Sequence, residues 1–266
     1  EFILMKIKVL ASGSKGNCSL IETKSTRFLI DIGITYQRLK KELEKINLTI
    51  DDIDALLLTH AHNDHTSGLK ALLKHSNFKI YVNKDIIKEL TVDIDTERIE
   101  LYDSLMHLNN NTEITVFKTS HDAKGSVGFL IVENDNSLVY ITDTGYLNRK
   151  YFPLLANKNI YYIESNHDEK MLMDGPYPYY LKQRIISDEG HLSNETTAKY
   201  LKRLVGANTK YIILAHLSEH NNTESLAYQS TREALEDRND IKIVVAKQTE
   251  TLEEIEVLYD KIDMCR

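Results

Sequence analysis

Three histidines and an aspartate fall within six residues in the segment Thr59-His60-Ala61-His62-Asn63-Asp64-His65. Such a set does not belong in an apolar core, because burying unpartnered polar groups costs several kcal/mol in all. Imidazole nitrogens and carboxylate oxygens are the donors that zinc and similar divalent ions take. The spacing is too tight for all four to hold one ion. Alternation along an extended segment sends His60 and His62 one way and Asp64 and His65 another, which favours two ions. A solvated polar loop is the competing reading, and the density of donors makes it the weaker one.

Donors of this kind need rigid supports. Residues 55–59 form an apolar run that reads as a buried strand, and residues 67–75 have helical spacing, so the segment sits on a loop at a sheet edge. Strand-like runs cover 6–11, 18–22, 27–31 and 79–82, the first two joined by the turn Ser12-Gly13-Ser14-Lys15-Gly16-Asn17. Further strands are expected over 113–119, 126–133, 137–142, 159–163, 210–214 and 242–246. Helices are expected over 36–46, 84–90, 148–155, 179–186, 194–205 and 224–237. Each half opens with antiparallel hairpins and continues with βα units. The pattern predicts an α/β fold of two sheets packed face to face with helices outside.

Composition narrows the classes. The 266 residues are 42% apolar and 27% charged, which is ample for a core without covalent staples. Cys18 and Cys265 are the only cysteines, excluding a disulfide framework and a cysteine zinc cluster. No apolar run approaches the roughly 20 residues of a membrane span. The first residues are too short and lightly charged for a signal peptide, so Met5 is read as the natural start, residues 1–4 as a remnant of expression, 5–266 as one hydrolase domain, and the cytoplasm as the compartment. A net charge of −7 argues mildly against a general nucleic-acid binder, although bound divalent ions would offset part of it locally.

The spacing His60-x-His62-x-Asp64-His65 resembles the signature of the metallo-β-lactamase-fold hydrolases. That resemblance implies a four-layer αββα sandwich in a single domain with a metal centre at the sheet edges. It also implies roles for residues that follow other predicted strands. Asp31 matches an aspartate that orients the site, and His121, Asp143 and His216 match later ligands. By the resemblance, one ion takes His60, His62, His121 and Asp143, and the other takes Asp64, His65, His216 and the shared Asp143. Zinc is expected at both positions, with manganese or iron as alternatives. The implied nucleophile is a hydroxide bridging the ions, with Asp64 as a weak proton acceptor.

Other segments select a branch of the family. A secretory β-lactamase is disfavoured because Asp143 stands where many of those enzymes use cysteine. The interval from Asp143 to His216 is too short for the large inserted cap of the RNA-processing branch. Glu164-Ser165-Asn166 and Gly190-His191-Leu192-Ser193 resemble the tRNA-maturation nucleases, in which such a glutamate and histidine form a proton-donating pair. Together with Leu10-Ala11-Ser12-Gly13-Ser14-Lys15-Gly16-Asn17-Cys18 and Glu164-Ser165-Asn166-His167-Asp168, the pattern is similar to the small bacterial WalJ/YycJ/VicX-type group, encoded beside a cell-wall two-component system. The resemblance implies a DNA exonuclease, with DNA as partner, no membrane, and Asp64, His191 and Glu164 as catalytic residues.

Two other functions stay open at this point: a small-molecule hydrolase of a lactone, thioester or cyclic phosphodiester, and a non-catalytic accessory of the signalling system. Several residues also have ordinary alternatives. The turn at 12–17 either offers backbone N–H groups to a phosphate or only closes a hairpin. Ser193 or Asn194 is a candidate helix cap, and His167 and Asp168 either support the site or lie exposed. Tyr146, Arg149 and Lys150 are candidates for substrate contact. His75 suits a helix C-terminus, His107 and His220 read as surface residues, and Lys40 and Lys41 belong to a solvated helix face.

Overall fold

In the computed structural model, which describes residues 3–259, the chain forms two seven-stranded sheets. Strands β1 (Ile3–Ala11), β2 (Cys18–Glu22), β3 (Arg27–Ile30), β4 (Ala55–Leu57), β5 (Lys79–Val82) and β6 (Ile99–Leu101) build the first, in that order. The second runs from β7 (Leu105–Leu108) through β8 (Thr112–Lys118), β9 (Val127–Glu133), β10 (Asn136–Ile141), β11 (Ile160–Glu164) and β12 (Tyr211–Ala215) to β13 (Lys242–Val245). The last strand, β14 (Ile255–Tyr259), returns to the first sheet and pairs antiparallel with β1. In both sheets antiparallel pairing gives way to parallel pairing, after β3 in one and after β10 in the other. The strand from Ile3 includes two of the four residues read as a remnant; Glu1, Phe2 and Cys265 lie outside the described residues.

The helices are α1 (Tyr36–Glu44), α2 (Asn63–Thr66), α3 (Leu69–His75), α4 (Lys84–Glu89), α5 (Phe152–Leu155), α6 (Glu169–Asp174), α7 (Tyr179–Ile186), α8 (Asn194–Leu204) and α9 (Glu224–Ala234). They complete a four-layer αββα sandwich. Five of them start with side-chain caps that satisfy otherwise orphaned N–H groups: Thr35 for α1, Asn83 for α4, Asp168 for α6, Ser193 for α8 and Thr223 for α9. The helix expected over 148–155 is a 3-10 turn at Arg149–Tyr151 followed by one turn of α5. Pro153 lacks an N–H and is tolerated only at the start of a helix. Among the described residues, no helix is long and apolar enough to cross a membrane.

Strand alternation explains why two layers of core exist. Along β10, Leu138 and Tyr140 face the cluster between the sheets, whereas Val139 and Ile141 face the cluster beneath the outer helices. β11 does the same with Ile160 and Tyr162 against Tyr161 and Ile163. Burying each large apolar side chain contributes about 1.5–3 kcal/mol. Tyr140 and Tyr162 stack with ring centroids 4.1 Å apart and reach across to the first sheet. Their hydroxyls lie 3.2 Å from Ser19 Oγ and 2.8 Å from Ser12 Oγ. The two halves are thereby joined next to the strand ends that carry the polar motif.

Candidate active site

The site residues sit where strands stop. Asp31 follows β3, Asp143 follows β10 by two residues, and His216 follows β12. All three adopt the left-handed conformation, with φ of 60°, 53° and 55°. Non-glycine residues rarely do so, at a cost of about 1–3 kcal/mol each. Here the turn bends each side chain back over the sheet edge instead of letting it continue along the strand.

The 59–65 segment divides its ligands by a different route from the alternation expected. Its backbone is extended at His62 (φ −60°, ψ 150°) and helical from Asn63, where α2 begins. His60 and His62 precede that switch, whereas Asp64 and His65 lie on the helical turn. The ligand atoms of His60, His62 and His121 lie within 4.8 Å of one another, and so do those of Asp64, His65 and His216. Asp143 lies between the groups: Oδ2 is 3.1 Å from His65 Nε2, and Oδ1 is 3.5 Å from His216 Nε2 and 3.7 Å from His121 Nε2.

These donors fit divalent cations. His60 Nε2, His216 Nε2 and Asp143 Oδ2 are buried and have no hydrogen-bond partner in the protein. Leaving such atoms unmet costs about 1–3 kcal/mol each, which a bound cation offsets. The set of imidazoles and carboxylates is the donor chemistry of zinc and its neighbours.

Two buried carboxylates aim the rings. Asp31 accepts from Thr59 N (2.8 Å), Thr59 Oγ1 (2.7 Å) and His65 Nδ1 (2.7 Å), leaving His65 Nε2 directed into the site. Glu164, at the end of β11, has the matching role in the other half. Its Oε1 accepts from His191 Nδ1 at 2.7 Å and His216 Nδ1 at 3.0 Å, and its Oε2 from Thr144 N at 3.0 Å and Leu192 N at 3.3 Å. Glu164, His191, Asp143 and His216 also lie within ligating distance of one another. With four N–H donors already on Glu164, its oxygens orient rings and are not spare ligands.

The charges reinforce one another. Burial disfavours a charged His65, but Asp31, Asp143 and Asp64 outweigh it and push the ring up to about 10. Burial would raise Glu164, yet His191 and His216 hold it down to about 2. His191 is likewise raised: burial opposes its charge and Glu164 more than compensates. His60, whose largest influence is burial, is held well below the ordinary histidine range.

Asn17 was not singled out in the sequence, although it closes the 12–17 turn. Its side-chain Nδ2 lies 3.2 Å from Asp64 Oδ2 and 2.9 Å from His65 Nε2, and its backbone N donates to Asp64 O at 2.7 Å. Gly33 packs on the same strut: a Cβ there would meet Asp64 O at 1.6 Å. The turn therefore supports Asp64 and His65. Ser12 Oγ adds to this by accepting from His216 N at 2.8 Å. Asp122 was also missed. It lies 3.4 Å from His121 Nε2 and is anchored by Arg184 at 2.6 Å.

The remaining candidates divide. Ser193 caps α8, and His191, beside it, faces the site. Asp168 caps α6, while His167 is buried and lines a cavity beside His191 without touching the ligand clusters. Tyr146, Arg149 and Lys150 are exposed, and none of them touches the clustered histidines and carboxylates in any contact among the described residues. His75 ends α3 and stacks on Tyr36 at 4.3 Å, and His107 and His220 are exposed. Cys18 is buried, which pushes its thiol upward.

Residues 26–217 match the family of the beta-lactamase superfamily domain. The chain is 35% identical over 231 residues to the exodeoxyribonuclease WalJ of Streptococcus pneumoniae serotype 2, covering 85% of this chain and 86% of that protein. It is 33% identical over 238 residues to the exodeoxyribonuclease YycJ of Bacillus anthracis, covering 88% and 90%. The metallo-β-lactamase-fold protein YhfI of Bacillus subtilis superposes with a TM-score of 0.71 at 18% identity, over 94% of this chain and 99% of that one. By its matched sequence and its αββα architecture, this chain belongs to the beta-lactamase superfamily.

Proposed function

We propose that this protein is a two-metal hydrolase of phosphodiester bonds that removes nucleotides from DNA ends, with residues 5–266 as one catalytic domain. The observation that carries the reading is the His191–Glu164 pair, 2.7 Å apart, beside two convergent ligand clusters that share Asp143. The identity to two named exodeoxyribonucleases over most of the chain supports DNA as the substrate.

His60, His62 and His121 would hold one ion and Asp64, His65 and His216 the other, with Asp143 common to both. Zinc fits this donor set, and manganese or iron would use the same atoms. Divalent ions held there would neutralise phosphate charge and make water easier to deprotonate at neutral pH. Asp64, whose hydrogen bond to Asn17 and ion pairs to His65 and His216 fall on Oδ2, would be the acceptor, a weak one, of the proton given up by the attacking water. Glu164 fixes the Nδ1–H tautomer of His191 and favours its charged form, so Nε2 carries a proton to the departing sugar oxygen. That oxygen is a poor leaving group, which is the circumstance in which a proton donor matters.

The test is metal-loaded protein on end-labelled linear duplex and on covalently closed circular duplex of the same sequence. Progressive release of mononucleotides from linear DNA alone is expected. Equal attack on the circle would make the enzyme an endonuclease, and no cleavage of either would refute the reading.

A further inference from the structure

One cavity opens at the proposed proton donor, and a second lies one residue further along the chain and along the same helix. The first, about 310 Å³, is lined by His191, Gly145 and Thr196 among others. The second, about 440 Å³, begins at the next residue, Tyr146, and is walled by Arg149, Lys199, Tyr200 and Arg203. Thr196, Lys199, Tyr200 and Arg203 follow the i, i+3, i+4, i+7 spacing of one face of α8, opposite the buried face of Thr197, Ala198, Leu201 and Leu204. One helix face therefore leads from the catalytic centre into a groove with three cations.

Those cations are available. Arg149, Lys199 and Arg203 are exposed, and among the described residues none forms an ion pair with a carboxylate. In a chain of net charge −7, three exposed cations without a carboxylate partner gathered around one groove make a local positive patch suited to an external anion. At 1.5 Å per residue, Thr196 to Arg203 spans about 10 Å of helix axis. Neighbouring phosphates of one DNA strand stand roughly twice the 3.4 Å axial rise apart, so that length matches about two successive phosphates, and Arg149 widens the reach. Tyr146, 39% exposed on the wall of the second cavity, offers a ring face on which a base can stack.

We infer that Arg149, Lys199 and Arg203 form a track for the DNA backbone, holding two to three phosphates on one side of the bond being cut. The inference rests on the nuclease reading and adds the surface that positions the strand. Isolated small phosphodiesters reach His191 without occupying the track.

The experiment compares the wild type with R149Q/K199Q/R203Q and with K40Q/K41Q/K74Q, which removes the same charge from helices over the other sheet. Affinity for a labelled duplex is measured against salt, with metal content and unfolding midpoint as controls on integrity. The track variant should lower the log–log salt slope by about 2–3, at close to 0.9 per phosphate contact. It should also raise KM for DNA, while K40Q/K41Q/K74Q retains the wild-type slope. Equal slopes in the wild type and the track variant would overturn the track while leaving the nuclease reading intact. Equal losses in both triple variants would assign the effect to net charge and overturn it too. A wild type that hydrolyses p-nitrophenyl phosphodiesters yet neither binds nor cuts DNA would instead refute the nuclease reading, and the track with it.

Discussion

Glu164→Gln separates an orienting carboxylate from a mere neighbour of His191. The native carboxylate accepts four N–H groups, two from imidazoles on Oε1 and two from the backbone on Oε2. An amide has one acceptor and one donor end, so one pair of N–H groups must face an NH2. If the backbone pair does, two buried donors go unmet, at about 1–3 kcal/mol each. If the rings do, each can move its proton from Nδ1 to Nε2 and become an acceptor, since neutral imidazole carries the proton on either nitrogen. The second outcome costs less, and it protonates the nitrogen through which His216 would ligate. Losing such an orienting partner weakens metal binding about 10–100-fold, or about 1.4–2.8 kcal/mol at 1.4 kcal/mol per tenfold. Competition with a chromophoric chelator measures this directly. His191→Ala, which leaves the Glu164–His216 contact in place, should retain wild-type affinity. Glu164→Gln binding metal within about twofold of the wild type would refute the tautomer argument.

Two further outcomes are expected. His191→Ala should slow DNA cleavage by about 10²–10⁴-fold and affect a p-nitrophenyl phosphodiester far less, because phenolate departs without a proton; equal slowing with metals in place would make His191 a phosphate-positioning residue. His167 is held by burial at about 4, below its ordinary 6.5. As pH falls from 6.5 the unfolded chain therefore takes up a proton that the folded one refuses, and stability is lost, by about 2 kcal/mol at pH 5 and about 3 kcal/mol below pH 4. His167→Gln should remove that loss, seen as a pH-dependent difference in urea unfolding free energy; a constant difference would contradict it.

Sequence patterning carried much of this fold because the inner strands are apolar on both faces. The runs at Cys18–Glu22 and Lys79–Val82 and the helix at Tyr179–Ile186 have the bounds that patterning predicts. Three of the four edge strands were missed: β6 and β7 bury at most one face, and β14 lies among Glu253, Glu254 and Glu256. In the site, the residues that converge there were legible because histidine and aspartate cluster just past apolar runs. Asn17 was not, since its contact with Asp64 depends on the close approach of a turn and a helix remote in sequence. Nor was the double duty of Glu164, whose second ring, His216, reaches it only when β11 and β12 pair in parallel. The left-handed turns at Asp31, Asp143 and His216 left no trace either, because no glycine or asparagine marks them.

The central claim, a centre of two ions that hydrolyses DNA ends, is tested most directly by titrating zinc or manganese into chelated protein while following bound metal and mononucleotide release together. The rate should rise with occupancy and saturate at about two ions per chain, and Asp143→Ala should hold fewer and remain inactive. Full activity in the chelated protein, or saturation at one ion, would contradict the account.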